Sequence, residues 1–472
     1  MTIFTAAIEQ ASDILWNSLL LFLLVGTGVF FTIRLRGVQL RRFGEGFHRV
    51  FGNFTLRGKK ADDQGMSSFQ ALATAIAAQV GTGNITGCAT ALVSGGPGAL
   101  FWVWVSAFFG MATIYAEAVL AQRYRTTVNG KVTGGPAYYI RAAFKGTFGK
   151  VLAGVFSVLI ILALGFMGNM VQSNSIGDAF HNAFGMSHLA VGIVVAVIAA
   201  FIFLGGVQRI AAVTEKIVPI MAAFYIVGCV VILVMNYKVL PNAFTQIFVL
   251  AFNPQAMAGG VAGVTVQQAM RFGVARGLFS NEAGMGSTPH AHAVARVKHP
   301  AEQGLAAIIG LFIDTFIVVN MTAFVILCTG ALDGTTTGIA LTQKAFTLGL
   351  GTIGNGFVAV CLLFFAFTTI VGWYFFAEQN VKYLVGVRYV SIYRVLVLAF
   401  IMAGSFLHVT LVWELADLFN GLMAIPNIIA LIGLSKVVGR ALEDYEKKFL
   451  AGETPEFGEL APVPADIPRY NG

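Results

Sequence analysis

The chain has 472 residues, of which 57% are hydrophobic and only 11% are charged, and its formal net charge is +8. An ordinary soluble domain carries roughly 25% charged residues and could not hide this much apolar surface. The composition therefore excludes a soluble protein. The positive charge does not indicate a nucleic-acid-binding protein, because the basic residues lie between apolar runs, as membrane topology requires.

Eleven apolar runs are long enough to cross a bilayer, since a spanning helix needs about 20 mainly apolar residues. They predict an all-α polytopic membrane protein with one membrane domain over 1–450 and a disordered cytoplasmic tail over 451–472. We expect the first span to be retained, because residues 1–13 hold neither Lys nor Arg and no cleavage site follows. The predicted spans lie near residues 14–33, 69–93, 98–121, 151–172, 188–206, 211–235, 258–280, 303–330, 355–384, 393–409 and 411–435.

Lysine and arginine residues predict the orientation of the chain. The loop between the first two spans carries eight of them between residues 34 and 60, and such loops stay in the cytoplasm. The N-terminus is then outside and the C-terminus cytoplasmic, with only Lys238 and Lys344 in outer loops. Arg271 and Arg276 are expected towards the inner end of the seventh span, where they can snorkel or line a wet vestibule.

The second span contains a polar, glycine-rich stretch, 79–84 (QVGTGN), at mid-bilayer depth. Irregular backbone is tolerated there only where it lines a cavity or is buried in protein. A broken helix would expose N–H groups that attract a carboxylate and C=O groups that coordinate a cation such as Na⁺. The alternative is a helix-packing site made by small residues, but packing does not need the amide side chains of Gln79 and Asn84.

The ninth span carries Phe365, Thr368 and Thr369 at i, i+3 and i+4, so they share one helix face. Two hydroxyls on one face suit a hard cation, and Trp373, one turn further on, could form the wall of a small pocket. In the alternative, the threonines bond back to carbonyls of their own helix and the tryptophan only packs. The sequence leaves both readings open.

The fourth span places three polar side chains, Asn169, Gln172 and Ser173, on one face. An amide at this position could bond a substrate amine or carboxylate. The alternative is the polar outer end of a helix meeting water.

The seventh span contains Gly273 and Gly277, which could break a second helix. Asn281 and Glu282, at its predicted inner end, could then form a cytoplasmic gate. The alternative is a helix end whose polar side chains only reach the membrane surface.

Acidic residues inside spans are costly and usually functional. Asp314 lies deep in the eighth span and is the candidate for a proton or ion path. Glu117 and Glu378 lie near basic residues at inner boundaries, so structural salt links are expected for both.

Residues 95–110 (GGPGALFWVWVSAFFG) closely resemble the signature of the sodium:alanine symporter family. The signature normally reads FWMW, and Val103 stands in place of its Met. The resemblance to this family also covers residues 80–84 (VGTGN), 168–172 (GNMVQ), 279–284 (FSNEAG) and 424–427 (AIPN), so it extends over nearly the whole chain.

This resemblance implies a leucine-transporter-type fold, in which two inverted five-helix repeats surround a site at the membrane midplane. The span at about 14–33 would be an extra helix, and the repeats would cover about 69–235 and 258–435. The two broken helices would be the second span, at Gly81–Gly83, and the seventh span, near Gly273.

The resemblance also implies which residues form the site. Sodium is expected between the carbonyls of Ala77 and Val80 and the residues Thr368 and Thr369. Gln79 and Asn84 are expected to hold a second ion or to support the site. The expected substrate-binding residues are Thr82, Gly83, Gln172, Phe272, Gly273, Thr369 and Trp373.

The function so implied is sodium-coupled import of a small neutral amino acid, alanine or glycine, across a bacterial or archaeal cytoplasmic membrane. The alternative is a proton-coupled carrier of the same substrates, with Asp314 as the titratable group. A channel is disfavoured because the polar residues cluster at mid-span, and an intramembrane enzyme because no Ser/His, paired Asp or HExxH set occurs. We expect the amino acid and the bilayer as partners, sodium as coupling ion, and no organic cofactor, nucleic acid or obligate protein partner.

Overall fold

The computed structural model describes residues 3–52, 65–128, 130–253, 265–407 and 410–452, and these residues are almost entirely helical. Two predicted segments lie partly outside the described residues: the span at 258–280 is described only from residue 265, and the tail at 451–472 only at its first two residues. The helices of the first half are α1 (Ile3–Ile14), α2 (Leu21–Arg34), α3 (Val38–Arg41), α4 (Phe43–Phe51), α5 (Ser68–Gln79), α6 (Cys88–Gly95), α7 (Ala99–Arg123), α8 (Pro136–Ala143), α9 (Gly146–Ile160), α10 (Asn169–Phe184), α11 (His188–Leu204), α12 (Gly206–Met235) and α13 (Leu240–Phe252).

The second half contains another set of helices, together with short strands and irregular helical segments shared by both halves. The helices are α14 (Val266–Asn281), α15 (Pro289–Ala293), α16 (Pro300–Leu311), α17 (Asn320–Thr329), α18 (Gly338–Leu350), α19 (Ile353–Val385), α20 (Val390–Phe406), α21 (Thr410–Gly433) and α22 (Ser435–Leu450). π-Helical segments occupy Leu15–Leu20, Gly83–Gly87, Ile161–Gly168 and Phe312–Val319, and a 3₁₀ turn occupies Val387–Tyr389. The strand β1 (Met66–Ser67) pairs in parallel with β4 (Ala295–Arg296), and β2 (Thr126–Val128) pairs antiparallel with β3 (Lys131–Thr133).

Within the described residues, eight helices are long and apolar enough to span a membrane. They correspond to eight of the eleven predicted spans. The span predicted at 188–206 is the shorter apolar helix α11. The span at 69–93 is interrupted after α5, and of the span at 258–280 the structure describes only 265–280, where α14 has 16 residues. Neither span therefore contains a described helix of the 18 residues that the length criterion requires. The all-helical membrane architecture is confirmed, whereas the count of eleven stays a prediction. The eight spans are Ala7–Arg34, Ala99–Arg123, Gly146–Phe184, Gly206–Met235, Pro300–Thr329, Ile353–Val385, Val387–Phe406 and Leu411–Gly433.

The first helix break lies where the glycine-rich stretch predicts it. A capping box between Ser67 and Gln70 starts α5, and the helix ends at Val80, whose φ of −82° and ψ of 87° are not helical. The chain resumes as a π-helical turn from Gly83. Gly81 is required by space, because a Cβ atom there would lie 2.3 Å from the hydroxyl oxygen of Thr369.

The second break does not lie near Gly273, so that prediction is wrong. Helix α14 runs unbroken to Asn281 and ends at Glu282, whose φ of 58° is left-handed. Gly273 and Gly277 instead let α7 approach closely, since a Cβ atom on Gly273 would lie 2.3 Å from the Ala99 carbonyl oxygen. Pairs of glycines can allow close helix packing as well as interrupt a helix, and in α14 they allow close packing.

The inner position expected for two arginines of α14 does not agree with the predicted orientation of the chain. Arg271 forms an ion pair with Asp13 of the first span, and Arg276 pairs with Asp417 of α21 at 2.9 Å. Both arginines therefore lie before the break and share a side of the molecule with Asp13, in the predicted outer half.

Candidate functional site

The first helix break packs against α19, and Thr369 reaches into it. The hydroxyl oxygen of Thr369 lies 3.0 Å from the Ala77 carbonyl oxygen and 3.4 Å from that of Val80. The carbonyl oxygen of Phe365 lies 3.0 Å from this hydroxyl and 3.0 Å from the hydroxyl oxygen of Thr368. All five residues are fully buried. The structure thus brings three carbonyl oxygens and two hydroxyl oxygens together in one buried cluster.

Phe365 contributes a ligand candidate that the sequence analysis did not name. Its carbonyl is a backbone atom, and a sequence pattern marks side chains. The available signal was the tendency of Thr to bond the carbonyl three or four residues back. In the structure this local bonding and the contact with the broken helix occur together, so the two readings of the threonine face do not exclude each other.

The backbone N–H groups of the break point at amide oxygens. The N–H of Thr82 donates to Oε1 of Gln172 at 3.1 Å, and the N–H of Gly81 donates to Oδ1 of Asn84 at 2.9 Å. The Thr82 and Ser173 hydroxyls are buried without a hydrogen-bond partner in the described part of the chain. Thr82 and Gln172 are therefore in contact, and hydrogen-bonding capacity remains unused beside them.

Gly83 faces the end of α14. A Cβ atom on Gly83 would lie 3.1 Å from Cα of Ser280, which is tight against backbone. Gln79 donates its side-chain amide to the Asn281 carbonyl oxygen at 2.7 Å. The break of the second span and the end of α14 therefore meet directly, which no local feature of either segment predicts.

Trp373 lies one turn beyond Thr369. Its indole N–H donates to the Glu282 carboxylate, which also accepts from the Ser287 hydroxyl. The ring lies edge-on to Phe279 at a centroid distance of 6.1 Å, and a Cβ atom on Gly168 would lie 2.5 Å from it. Trp373, on α19, thus packs between the π-helical segment Ile161–Gly168 and the end of α14, and Glu282 holds its orientation.

Phe272 and Gly273, expected among the substrate-binding residues, lie apart from the first helix break. They precede the end of α14 by roughly two turns. The Arg271 guanidinium lies 4.9 Å above the Phe272 ring, and Phe272 lines a cavity of 240 Å³ that also includes Glu9 and Asp13. Their expected role depended on a helix break near Gly273, and α14 is unbroken there.

Asp314 belongs to the same polar network. Its Oδ1 accepts from Nδ2 of Asn84 at 2.6 Å, and the Ser280 hydroxyl donates to the carboxylate at 3.0 Å. The Thr315 hydroxyl adds a bond of 2.9 Å. Asp314 is fully buried, and no cationic side chain in the described ranges pairs with it. Asn84 therefore links the break, through the Gly81 N–H, to a buried carboxyl group.

A second buried carboxylate, that of Glu117, holds the turn after α14. It accepts the backbone N–H groups of Gly284 at 3.1 Å and of Gly286 at 2.9 Å. Nδ2 of Asn427 donates to it at 2.7 Å, and the Tyr139 hydroxyl donates to Oδ1 of the same asparagine. The salt link expected for Glu117 is wrong, because its partners are amides. Glu378, by contrast, does pair with Lys382.

A vestibule of about 880 Å³ leads towards the site from the predicted outer side. Thr86 and Gly87, which follow the break, lie at its base, and the Arg276–Asp417 pair lines one wall. Thr82 and Thr369 are fully buried below it. In this conformation the candidate site is closed, and the vestibule stops one turn short of it.

Comparison with known proteins identifies relatives over nearly the full length. A model of the sodium:alanine symporter family matches residues 1–459. The sodium/alanine symporter AgcS of Methanococcus maripaludis is 42% identical over 441 residues, covering 92% of this chain and 96% of that protein. The probable sodium/glutamine symporter GlnT of Bacillus subtilis is 42% identical over 450 residues, covering 95% of this chain and 92% of that protein.

Among solved structures, the crystal structure of MhsT in complex with L-phenylalanine is similar to this fold. The TM-score is 0.55 at 13% sequence identity, with 82% of this chain and 99% of that chain covered. At this identity the likeness concerns the fold alone, and it supports the leucine-transporter-type architecture expected from the sequence.

Proposed function

Because the chain belongs to the sodium:alanine symporter family, and is thus a transporter and not an enzyme, we propose that it imports a small neutral amino acid, alanine or glycine, together with sodium. Import occurs by alternating access across a bacterial or archaeal cytoplasmic membrane, with the N-terminus outside and the C-terminus in the cytoplasm. The oxygen cluster between the first break and α19 is the observation that carries this proposal.

The oxygen cluster suits Na⁺ as the transported cation. Hard cations prefer oxygen ligands, and the cluster offers carbonyls of Ala77, Val80 and Phe365 with hydroxyls of Thr368 and Thr369. No carboxylate belongs to the cluster, so its affinity for Na⁺ depends on neutral dipoles. The weak binding that results favours release of the ion. Sodium here bridges the broken helix and α19, and it stabilises the geometry of the break.

The substrate carboxylate binds the backbone N–H groups of Thr82 and Gly83, which form the start of the outer half-helix. On binding it takes the place of Gln172 Oε1 at the Thr82 N–H. The freed Gln172 amide then bonds the substrate. Trp373 and Phe279 limit the pocket to a small side chain. Because the site is closed, entry requires the vestibule to extend past Thr86.

Coupling follows from the shared break. An amino-acid zwitterion and one Na⁺ carry a net positive charge inwards, which the membrane potential drives by about 2.3 kcal/mol per 100 mV. Each ligand favours the backbone geometry that binds the other, so each raises the other's affinity by the same factor.

Uptake of labelled alanine into liposomes containing the purified protein tests the proposal. An inward Na⁺ gradient should drive accumulation that K⁺ does not support. Thr369→Val should lower the initial rate at limiting Na⁺ at least about tenfold, since one of the oxygen ligands of the ion is lost. Thr329→Val is the matched control, because the Thr329 hydroxyl bonds only carbonyls of its own helix. Equal rates in Na⁺ and K⁺ would contradict the proposal.

Proton coupling is a second candidate, and the contact of Asp314 with Asn84 favours it. A buried carboxyl group bonded to the broken helix could carry a proton in place of a cation. In the same liposomes, an inward pH gradient without Na⁺ should then drive uptake, and Asp314→Asn should abolish that component. Uptake driven by Na⁺ alone and indifferent to the pH gradient would exclude this candidate.

A further inference from the structure

A basic groove lies between the end of α2 and the helix α22, away from the transport site. Its cavity volume is about 650 Å³. Here "basic groove" denotes this cavity and its lining residues, Phe30, Ile33, Arg34, Arg36, Lys436, Gly439, Arg440 and Glu443.

The basic groove has an unbalanced charge. It holds four cationic side chains and one carboxylate, a net charge of +3. None of the four cations forms an ion pair with a residue in the described ranges, whereas neighbouring cations do. Other acids of α22 are engaged elsewhere, because Glu446 pairs with Arg41 and Arg42 and Asp444 pairs with Lys448. The acids of α22 other than Glu443 therefore do not neutralise the cations of the groove.

The groove is formed by fixed elements and not by a loose tail. Helix α22 buries Val438 and Tyr445 completely. The Tyr445 hydroxyl accepts from Arg49 at 2.6 Å and donates to Glu45, both on α4. Gly439 lies beside the Arg34 guanidinium, since a Cβ atom there would be in van der Waals contact with it, 3.7 Å from Nε.

One wall of the groove is apolar and faces outwards. Phe30 and Ile33 are 38% and 73% exposed, and both belong to the membrane span Ala7–Arg34. Arg34 and Arg36 lie at and just beyond the end of this span, and Lys436 and Arg440 follow the span Leu411–Gly433, all on the predicted cytoplasmic side. At that depth, lipid headgroups lie beside the charges and acyl chains beside Phe30 and Ile33.

We propose that the basic groove binds the phosphate headgroup of an anionic membrane lipid, with an acyl chain along Phe30 and Ile33. Arginine is suited to the phosphate because its guanidinium can donate two parallel hydrogen bonds. Basic pockets between helices on the cytoplasmic side of a membrane bind such headgroups. The continuous apolar wall favours a lipid over free phosphate, which has no chain to place there.

Native mass spectrometry of the full-length, delipidated protein in detergent tests this site. The protein is titrated separately with phosphatidylglycerol, phosphatidylcholine and inorganic phosphate. We expect tighter binding of phosphatidylglycerol than of phosphatidylcholine. The variant Arg34→Gln/Arg36→Gln/Lys436→Gln/Arg440→Gln should bind phosphatidylglycerol at least about tenfold more weakly, since each nearby cation contributes several-fold. The double variant Arg34→Gln/Arg440→Gln should bind phosphatidylglycerol with an affinity between those of the wild type and the fourfold variant.

The matched control removes four exposed cations outside the groove, in the variant Lys145→Gln/Lys150→Gln/Lys216→Gln/Arg388→Gln. It should keep the wild-type preference for phosphatidylglycerol. Equal losses in the control and the groove variant would overturn the proposal, because net charge would then be the cause. Unchanged affinity in both groove variants would also overturn it. Displacement of the lipid by inorganic phosphate at equal concentration would reassign the groove to free phosphate.

Discussion

At the residue scale, the site depends on how closely the broken helix approaches α19. Gly81 has no room for a side chain, because a Cβ atom would lie 2.3 Å from the Thr369 hydroxyl oxygen and 3.1 Å from Oε1 of Gln172. The same two side chains contact the two ligand positions proposed above. A single glycine therefore keeps the cation and the carboxylate positions adjacent.

Gly81→Ala should abolish transport while leaving a folded protein. The added methyl group forces the break away from Thr369, and overpacking of this kind costs about 1–3 kcal/mol. Initial uptake rates and the thermal unfolding midpoint in detergent measure the two effects. The control is Gly26→Ala in α2, where a Cβ atom meets nothing within 4 Å. Wild-type uptake by Gly81→Ala would show that the close contact is not needed.

The site residues that the sequence predicts belong to local sequence patterns, whereas the groups whose roles it does not predict have no such pattern. Gly81, Gln172 and Thr369 belong to local polar patterns in apolar helices, and the structure brings them together. The Phe365 carbonyl and Glu117 leave no such pattern. The carbonyl is a backbone atom, and the partners of Glu117 lie more than 160 positions away in sequence. Long-range contacts of this kind need the fold.

At the element scale, the two interrupted helices differ in construction. The first break is local, since glycines and Asn84 satisfy the backbone within a few residues. The second break comes after Asn281, and it is held from outside by Glu117 and Asn427. The sequence predicted the first because its signal is local. It misplaced the second at Gly273 because glycine pairs also mark close helix packing, the role they have against α7.

Glu117→Gln should destabilise the turn after α14. The amide keeps the volume but replaces one acceptor oxygen by a donor. Depending on which oxygen is replaced, either the Gly284 N–H loses its partner, or the Gly286 N–H and the Asn427 amide lose theirs together. Each buried group left unpaired costs about 1–3 kcal/mol. The thermal midpoint should fall, and backbone amides of 283–288 should exchange faster with deuterium. The control Glu9→Gln in α1 should change neither quantity. Faster exchange of residues 283–288 in this control would point to a global effect and contradict the role given to Glu117.

At the scale of the whole molecule, the vestibule is open on the predicted outer side and the site below it is closed. This asymmetry predicts which positions a water-soluble reagent can reach. The four native cysteines are buried, so they give little background.

A membrane-impermeant thiol reagent applied outside intact cells should label Thr337→Cys, which lines the vestibule and is exposed. Thr82→Cys should be protected, because Thr82 is fully buried. Arg388→Cys, in the exposed 3₁₀ turn that follows α19 on the predicted cytoplasmic side, should react only after the cells are permeabilised. Labelling of Arg388→Cys, but not Thr337→Cys, in intact cells would reverse the proposed orientation.

The central claim is that sodium and the amino acid share the first helix break. The direct test measures alanine affinity as a function of Na⁺ concentration, and Na⁺ affinity as a function of alanine, in the purified protein. The account predicts that each ligand raises the affinity of the other by the same factor, and that Thr369→Val reduces both factors together. Alanine affinity that is independent of Na⁺ in the wild type would contradict it.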